Sequence, residues 1–84
     1  MKRIAVVSAI LEDPKNTQHL FNDIIADFKG IIRGRMGLPV IEEQVSIITI
    51  VISGELNEIN SLTGKLGRLD KVSVKTSISK KEFD

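Results

Sequence analysis

The chain contains no cysteine, tryptophan or tyrosine, and its only histidine is His19. Disulfides are therefore excluded, and a single histidine without thiolates argues against an all-protein transition-metal cage. Two of the three phenylalanines fall in helical stretches, which leaves no aromatic platform on which unpaired bases could stack. An excess of one charge is missing too: twelve Lys and Arg face eleven Asp and Glu, for a net charge of +1. Nucleic-acid binding usually needs a concentrated basic face, so direct contact with nucleic acid is not expected. No apolar run approaches the roughly 20 residues of a membrane span. The basic start Met1-Lys2-Arg3 leads into a short run broken by Ser8, without a small-residue cleavage site, unlike a signal peptide. These absences point to a soluble cytoplasmic protein without metal or cofactor. They also leave a chain of 84 residues with few ways to stabilise a small core. Domains of this size bury only about 60% of the surface of the unfolded chain, and association is the remaining route.

The apolar residues themselves are strongly patterned. Ile4 to Leu11 is apolar at both odd and even positions, as in a strand buried on both faces. Asp13 and Pro14 follow as a helix cap and first helical residue. Leu20, Phe21, Ile24, Ile25 and Phe28 then recur with helical spacing over an arc of roughly 140°, and Gly30 is placed to stop the helix. Ile31 to Leu38 reads as an irregular second strand weakened by Gly34 and Gly37, with Pro39 marking an edge or turn. Val45 to Ile52 is the clearest strand, closed by Gly54. Leu56, Ile59, Leu62, Leu66 and Leu69 make a second helical stripe, with Glu55 and Glu58 near its start and Lys65 and Arg68 near its end. Val72, Val74, Thr76 and Ile78 alternate with polar residues as a one-sided strand.

The order β-α-β-β-α-β is that of a ferredoxin-like α+β domain, a four-stranded antiparallel sheet with two helices on one face. It fills residues 1–79, and 80–84 form a polar tail. Strands one and three, apolar on both sides, would be central; two and four, which carry Arg33, Arg35 and Lys75, would be edges. One layer of helices cannot cover both faces. On the other face one parity of the third strand, Ile47 and Val51 or Ile48, Ile50 and Ile52, would meet water. At about 25 cal/mol per Å² this would cost several kcal/mol, so a homo-oligomer, dimer or tetramer, is expected. Ile48, Ile50 and Ile52, with Gly64 and Gly67, are the expected interface and packing positions.

Leu62-Thr63-Gly64-Lys65-Leu66-Gly67-Arg68, followed by Val72-Ser73-Val74-Lys75-Thr76, resembles a family of iron-only hydrogenase system regulators. Arg35-Met36-Gly37-Leu38-Pro39-Val40, with Glu42-Glu43 after it, is similar to the middle region of that family. The resemblance runs from about Arg3 to Thr76. It implies an ACT-like domain, related to the C-terminal domain of nickel-responsive repressors, that acts as a transcriptional regulator linked to the hydrogenase system. Nickel sensing does not carry over, because the histidine and cysteine set is missing. The acid and proline of Asp13-Pro14-Lys15-Asn16 match amino-acid-binding ACT domains, but the glycine they place there is absent.

Asp13, Lys15 and Asn16 stand at the first strand-helix junction, where ACT-like dimers hold effectors, although capping alone would also account for Asp13. Arg33 and Arg35, two residues apart on one strand, could face one anion or simply blunt an exposed edge. Gly64 and Gly67 cost about 1 kcal/mol each in a helix relative to alanine, which tight packing or close approach of a ligand would explain. His19 near Asp23, the pair Glu42-Glu43 and Lys80-Lys81 read as solvated charges, and no nucleophile has a visible base partner. The expected function is a non-catalytic, ligand-sensing module with a small-molecule effector. A small anion- or phosphate-handling enzyme using Arg33 and Asn16, or a purely structural interaction module, are the alternatives.

Overall fold

A computed structural model describes residues 1–84. Strand β1 (Arg3–Glu12) leads into helix α1 (Pro14–Ala26), and a short 3₁₀ turn at Lys29–Ile31 precedes β2 (Ile32–Val40). A second 3₁₀ turn, Ile41–Glu43, connects to β3 (Val45–Gly54), followed by α2 (Leu56–Gly67) and β4 (Val72–Ile78). The sheet order is β2-β3-β1-β4 and every neighbouring pair is antiparallel. This is the ferredoxin-like arrangement, with the two doubly apolar strands in the middle.

Register separates the two faces. Ala5, Val7, Ala9 and Leu11 of β1 lie beside Ile52, Ile50, Ile48 and Ser46 of β3, all of them buried. Phe21 and Ile25 of α1 and Ile59, Leu62 and Leu66 of α2 close over them to complete the core. Ile48, Ile50 and Ile52 are thus core residues beneath the helices, not positions at an interface between copies. Their neighbours Ile47, Thr49 and Val51 turn to the open face, beside Ile10, Ser8 and Val6 of β1.

The helices depart from the expected stripes in detail. Leu20 is largely exposed, and Thr17 takes the buried position one turn before Phe21. The hydroxyl of Thr17 donates to the carbonyls of Glu12 (3.0 Å) and Asp13 (3.1 Å), so a polar group is buried with its hydrogen bonds made. Helix α1 stops at Ala26, and Gly30 belongs to the following 3₁₀ turn. In α2 the backbone N–H of Glu55 donates to the Glu58 carboxylate at 3.0 Å, anchoring the first turn. Gly64 and Gly67 are exposed, and a Cβ added to either would meet nothing within 4 Å. Tight packing within the chain therefore does not explain them.

The polar tail is not free of the domain. Lys2 and Phe83 form an antiparallel bridge, each N–H donating to the other's carbonyl at 2.8 and 2.7 Å. Arg3 pairs with Glu82 at 3.0 Å, and the Ser79 hydroxyl accepts from the Ile4 N–H at 3.0 Å. The last residues thus extend the sheet beyond β4 along the start of β1.

Candidate functional site

One end of the sheet carries the groove with the most chemistry. There β1 passes into α1 and the 3₁₀ turn after β2 feeds β3, with Glu12 directly beside Val45. Between these segments lies a cavity of about 400 Å³ whose apolar wall is Pro14, Pro39, Val40, Ile41 and Val45 and whose polar groups are Asp13, Lys15 and Gln44.

The backbone at both rims is unusual. Asp13 has φ 52° and ψ 59°, and Gln44 has φ 55° and ψ 45°, both left-handed and neither a glycine. Such a conformation costs an L-residue on the order of 1 kcal/mol or more, somewhat less for Asp, and such residues often gather at functional sites. Asp13 does not cap α1 with its side chain. Its carboxylate accepts from Asn16 Nδ2 at 2.8 Å, while its carbonyl takes the N–H groups of Asn16 (3.0 Å) and Thr17 (3.1 Å). These hydrogen bonds brace the turn that carries Asp13 into the lining of the groove. A carboxylate, an ammonium and a carboxamide above an apolar wall suit a small molecule with an apolar body and polar ends.

Asp13 and Lys15 line this groove, and Asn16 braces Asp13. Arg33 and Arg35 do not join them. The pairing of β2 with β3 slips between Ile32 and Gly34, which leaves Arg33 as the extra residue of a bulge. Its guanidinium reaches back to the Gly30 carbonyl at 3.4 Å. Arg35 instead donates to Asn22 Oδ1 of α1 at 2.6 Å, tying the edge strand to the helix layer. Arg33 neighbours the far end of β3, six residues from Val45, or roughly 20 Å along the strand at 3.3 Å per residue. Asn16 and Arg33 therefore cannot act on one phosphate. His19, Glu42 and Glu43 are exposed and line no part of the groove.

Pro39, Val40, Gln44 and Val45 were not legible as site residues in the sequence. The polar stretch Glu42-Glu43-Gln44 announces a turn, but only the three-dimensional path of β2 brings that turn beside the start of α1.

The model of the family described as "Iron-only hydrogenase system regulator, putative" (TM1266-like) matches residues 3–76. An uncharacterized protein of known structure, TM1266 from Thermotoga maritima, is 34% identical. It superposes with a TM-score of 0.90, covering 95% of this chain and 100% of that one. The apo form of CPII from Thiomonas intermedia K12, a nitrogen regulatory PII-like protein, is 13% identical with a TM-score of 0.56, covering 94% of this chain and 92% of that one. At that identity the likeness is one of fold. No curated protein matches the chain.

Proposed function

We propose, from the premise that this chain belongs to the iron-only hydrogenase system regulator family, that it is a non-catalytic, self-associating sensor. A small effector would enter the groove between the β1–α1 junction and the β2–β3 turn. The observation that carries this reading is the pair of left-handed, non-glycine rims, Asp13 and Gln44, on one cavity of about 400 Å³. Such a cavity takes a metabolite-sized molecule, with Lys15 and the Asp13 carboxylate orienting its polar ends and Val40, Ile41 and Val45 holding its body. In this reading it regulates transcription in the cytoplasm through contact with another protein, because a net charge of +1 does not favour direct contact with DNA. An effector changes the assembly only through its different affinities for the assembly's states.

The test is a thermal-shift and native mass-spectrometry screen of metabolites on the wild-type protein, repeated with Lys15→Ala. Loss of a charged hydrogen bond of about 1.5–3 kcal/mol weakens a binder roughly tenfold or more. No shift in melting or mass across a broad screen ends the sensing reading. A binder insensitive to Lys15→Ala takes the site away from this groove.

A further inference from the structure

The open face of the sheet presents the largest body of unsheltered apolar side chains on the molecule. In cross-strand rows it reads Leu38–Ile47–Ile10–Ser73, then Met36–Thr49–Ser8–Lys75, then Gly34–Val51–Val6–Ser77, running from β2 to β4. Met36 is 72% exposed, Leu38 65% and Ile10 46%. The face is lopsided: long apolar side chains stand on β2, branched ones on β3 and β1, and short serines with one lysine on β4. A shallow hollow of about 330 Å³ lies among Met36, Leu38, Ile47 and Thr49.

Resting on the self-association in the preceding reading, we propose that a second copy of this chain covers the face. The two sheets pack face to face about a two-fold axis parallel to the strands. The size of the face selects the occupant. Four strands 4.8 Å apart and nine residues long make roughly 600 Å². Specific interfaces bury at least about 1,200 Å² over both partners, so nearly the whole face must be used. A single helix, about 10 Å across with its side chains, would leave half of it wet, whereas an identical sheet covers all of it.

The lopsidedness selects the axis. Rotation about a line parallel to the strands lays β2 over the partner's β4 and β3 over the partner's β1. Leu38 then stands above the partner's Ser73, and Ile47 meets the partner's Ile10. Thr49 and the partner's Ser8 face each other as hydroxyl partners at the centre. Leu38 fills the space that the partner's Ser73 leaves, Met36 lies along the aliphatic stem of the partner's Lys75, and the small Gly34 and the partner's Ser77 meet at the looser edge. A two-fold perpendicular to the strands would instead stack β2 on β2 and β4 on β4. It would set both Lys75 ammonium groups on the same edge, an arrangement that like-charge repulsion disfavours, and leave the serines facing a void. Aligned sheets cross at about 30°, so register is closest near the axis and looser at the edges.

The experiment uses the full chain. Sedimentation equilibrium of the wild type should give a mass at least twice 9.3 kDa. Ile47→Glu should lower that mass to a folded single chain with unchanged far-ultraviolet circular dichroism, because the core beside it is untouched. The absence of native cysteine permits a second test that needs no disruptive substitution. Leu38→Cys and Ser73→Cys protomers, mixed and treated with a short bismaleimide, should cross-link to each other. Each variant alone should not, since like positions sit about 14 Å apart sideways across three strand spacings. A wild type of 9.3 kDa at millimolar concentration, Ile47→Glu keeping the full mass, or Leu38→Cys cross-linking to itself would each overturn the proposal. A single-chain wild type would also remove self-association from the preceding reading, whereas an associated protein with the wrong cross-linking pattern overturns this packing alone, and effector binding is read separately through Lys15.

Discussion

Glycines occupy two opposite environments, and the difference has measurable signs. An added Cβ at Gly54, which is buried at the end of β3, would lie 3.1 Å from Ile31 Cγ2 and 3.3 Å from Ile31 Cβ. Gly54→Ala must shift the Ile31 side chain by a few tenths of an ångström in a packed site, at an expected cost of about 1 kcal/mol. Gly64 is a helical residue in open space. Gly64→Ala removes backbone freedom from the unfolded chain and should stabilise α2 by about 0.5–1 kcal/mol. Urea denaturation of the two variants should move the midpoint in opposite directions. Stabilisation by Gly64→Ala would also show that the glycine serves nothing inside one chain. Asp13 shows the same separation between backbone and side chain. A sequence reading expects an ordinary cap from Asp-Pro, whereas the residue is left-handed and its carboxylate is occupied by Asn16. Residue type identified the position; the dihedral that gives it a different role leaves no mark in the residue pattern.

Strands and helices carry periodic signals, and the chain displays them with little loss. Alternation at Val72–Ile78 and double-sided apolarity at Val45–Ile52 fixed edge and centre, because burial on one or two faces is what those patterns record. Two things at this scale leave no such signal. The bulge at Arg33 separates two arginines that spacing alone puts together, since a single extra residue changes the face without changing the composition. The docking of the tail is equally silent: Lys80 to Asp84 looks solvated, yet the backbone groups of Phe83 pair with those of Lys2. Backbone pairing at an edge depends on geometry more than on side-chain polarity. Removal of residues 80–84 deletes two hydrogen bonds to Lys2 and the partly exposed Arg3–Glu82 pair. The hydrogen bonds contribute about 1 kcal/mol each and the ion pair less. The shortened chain should melt about 10 °C lower, with faster amide exchange at Lys2. An unchanged melting curve would mean that the tail adds nothing in solution.

At the scale of the whole molecule, a thin core and an uncovered face are two sides of one distribution of apolar residues. The buried cluster holds 13 hydrophobic residues, while Val6, Ile10, Met36, Leu38 and Val51 remain outside it on the open face. If a second copy shelters them, folding and association share one free-energy balance, and thermal stability must depend on protein concentration. For a dimer, each tenfold rise in concentration adds about 1.4 kcal/mol per pair, and two 84-residue chains unfold with an entropy near 0.35 kcal/mol/K. The melting temperature should therefore climb by about 4 °C per decade of concentration in the wild type. In Ile47→Glu the slope should vanish while a cooperative transition remains. The groove at the β1–α1 junction adds a further consequence, because Val40 and Val45 of its wall lie in the last cross-strand row of that same face. A molecule bound there touches the margin of the buried surface, so its binding should change the slope as well as the midpoint. A midpoint shift that leaves the concentration slope unaltered would separate the groove from the assembly and make the two features independent devices on one small fold.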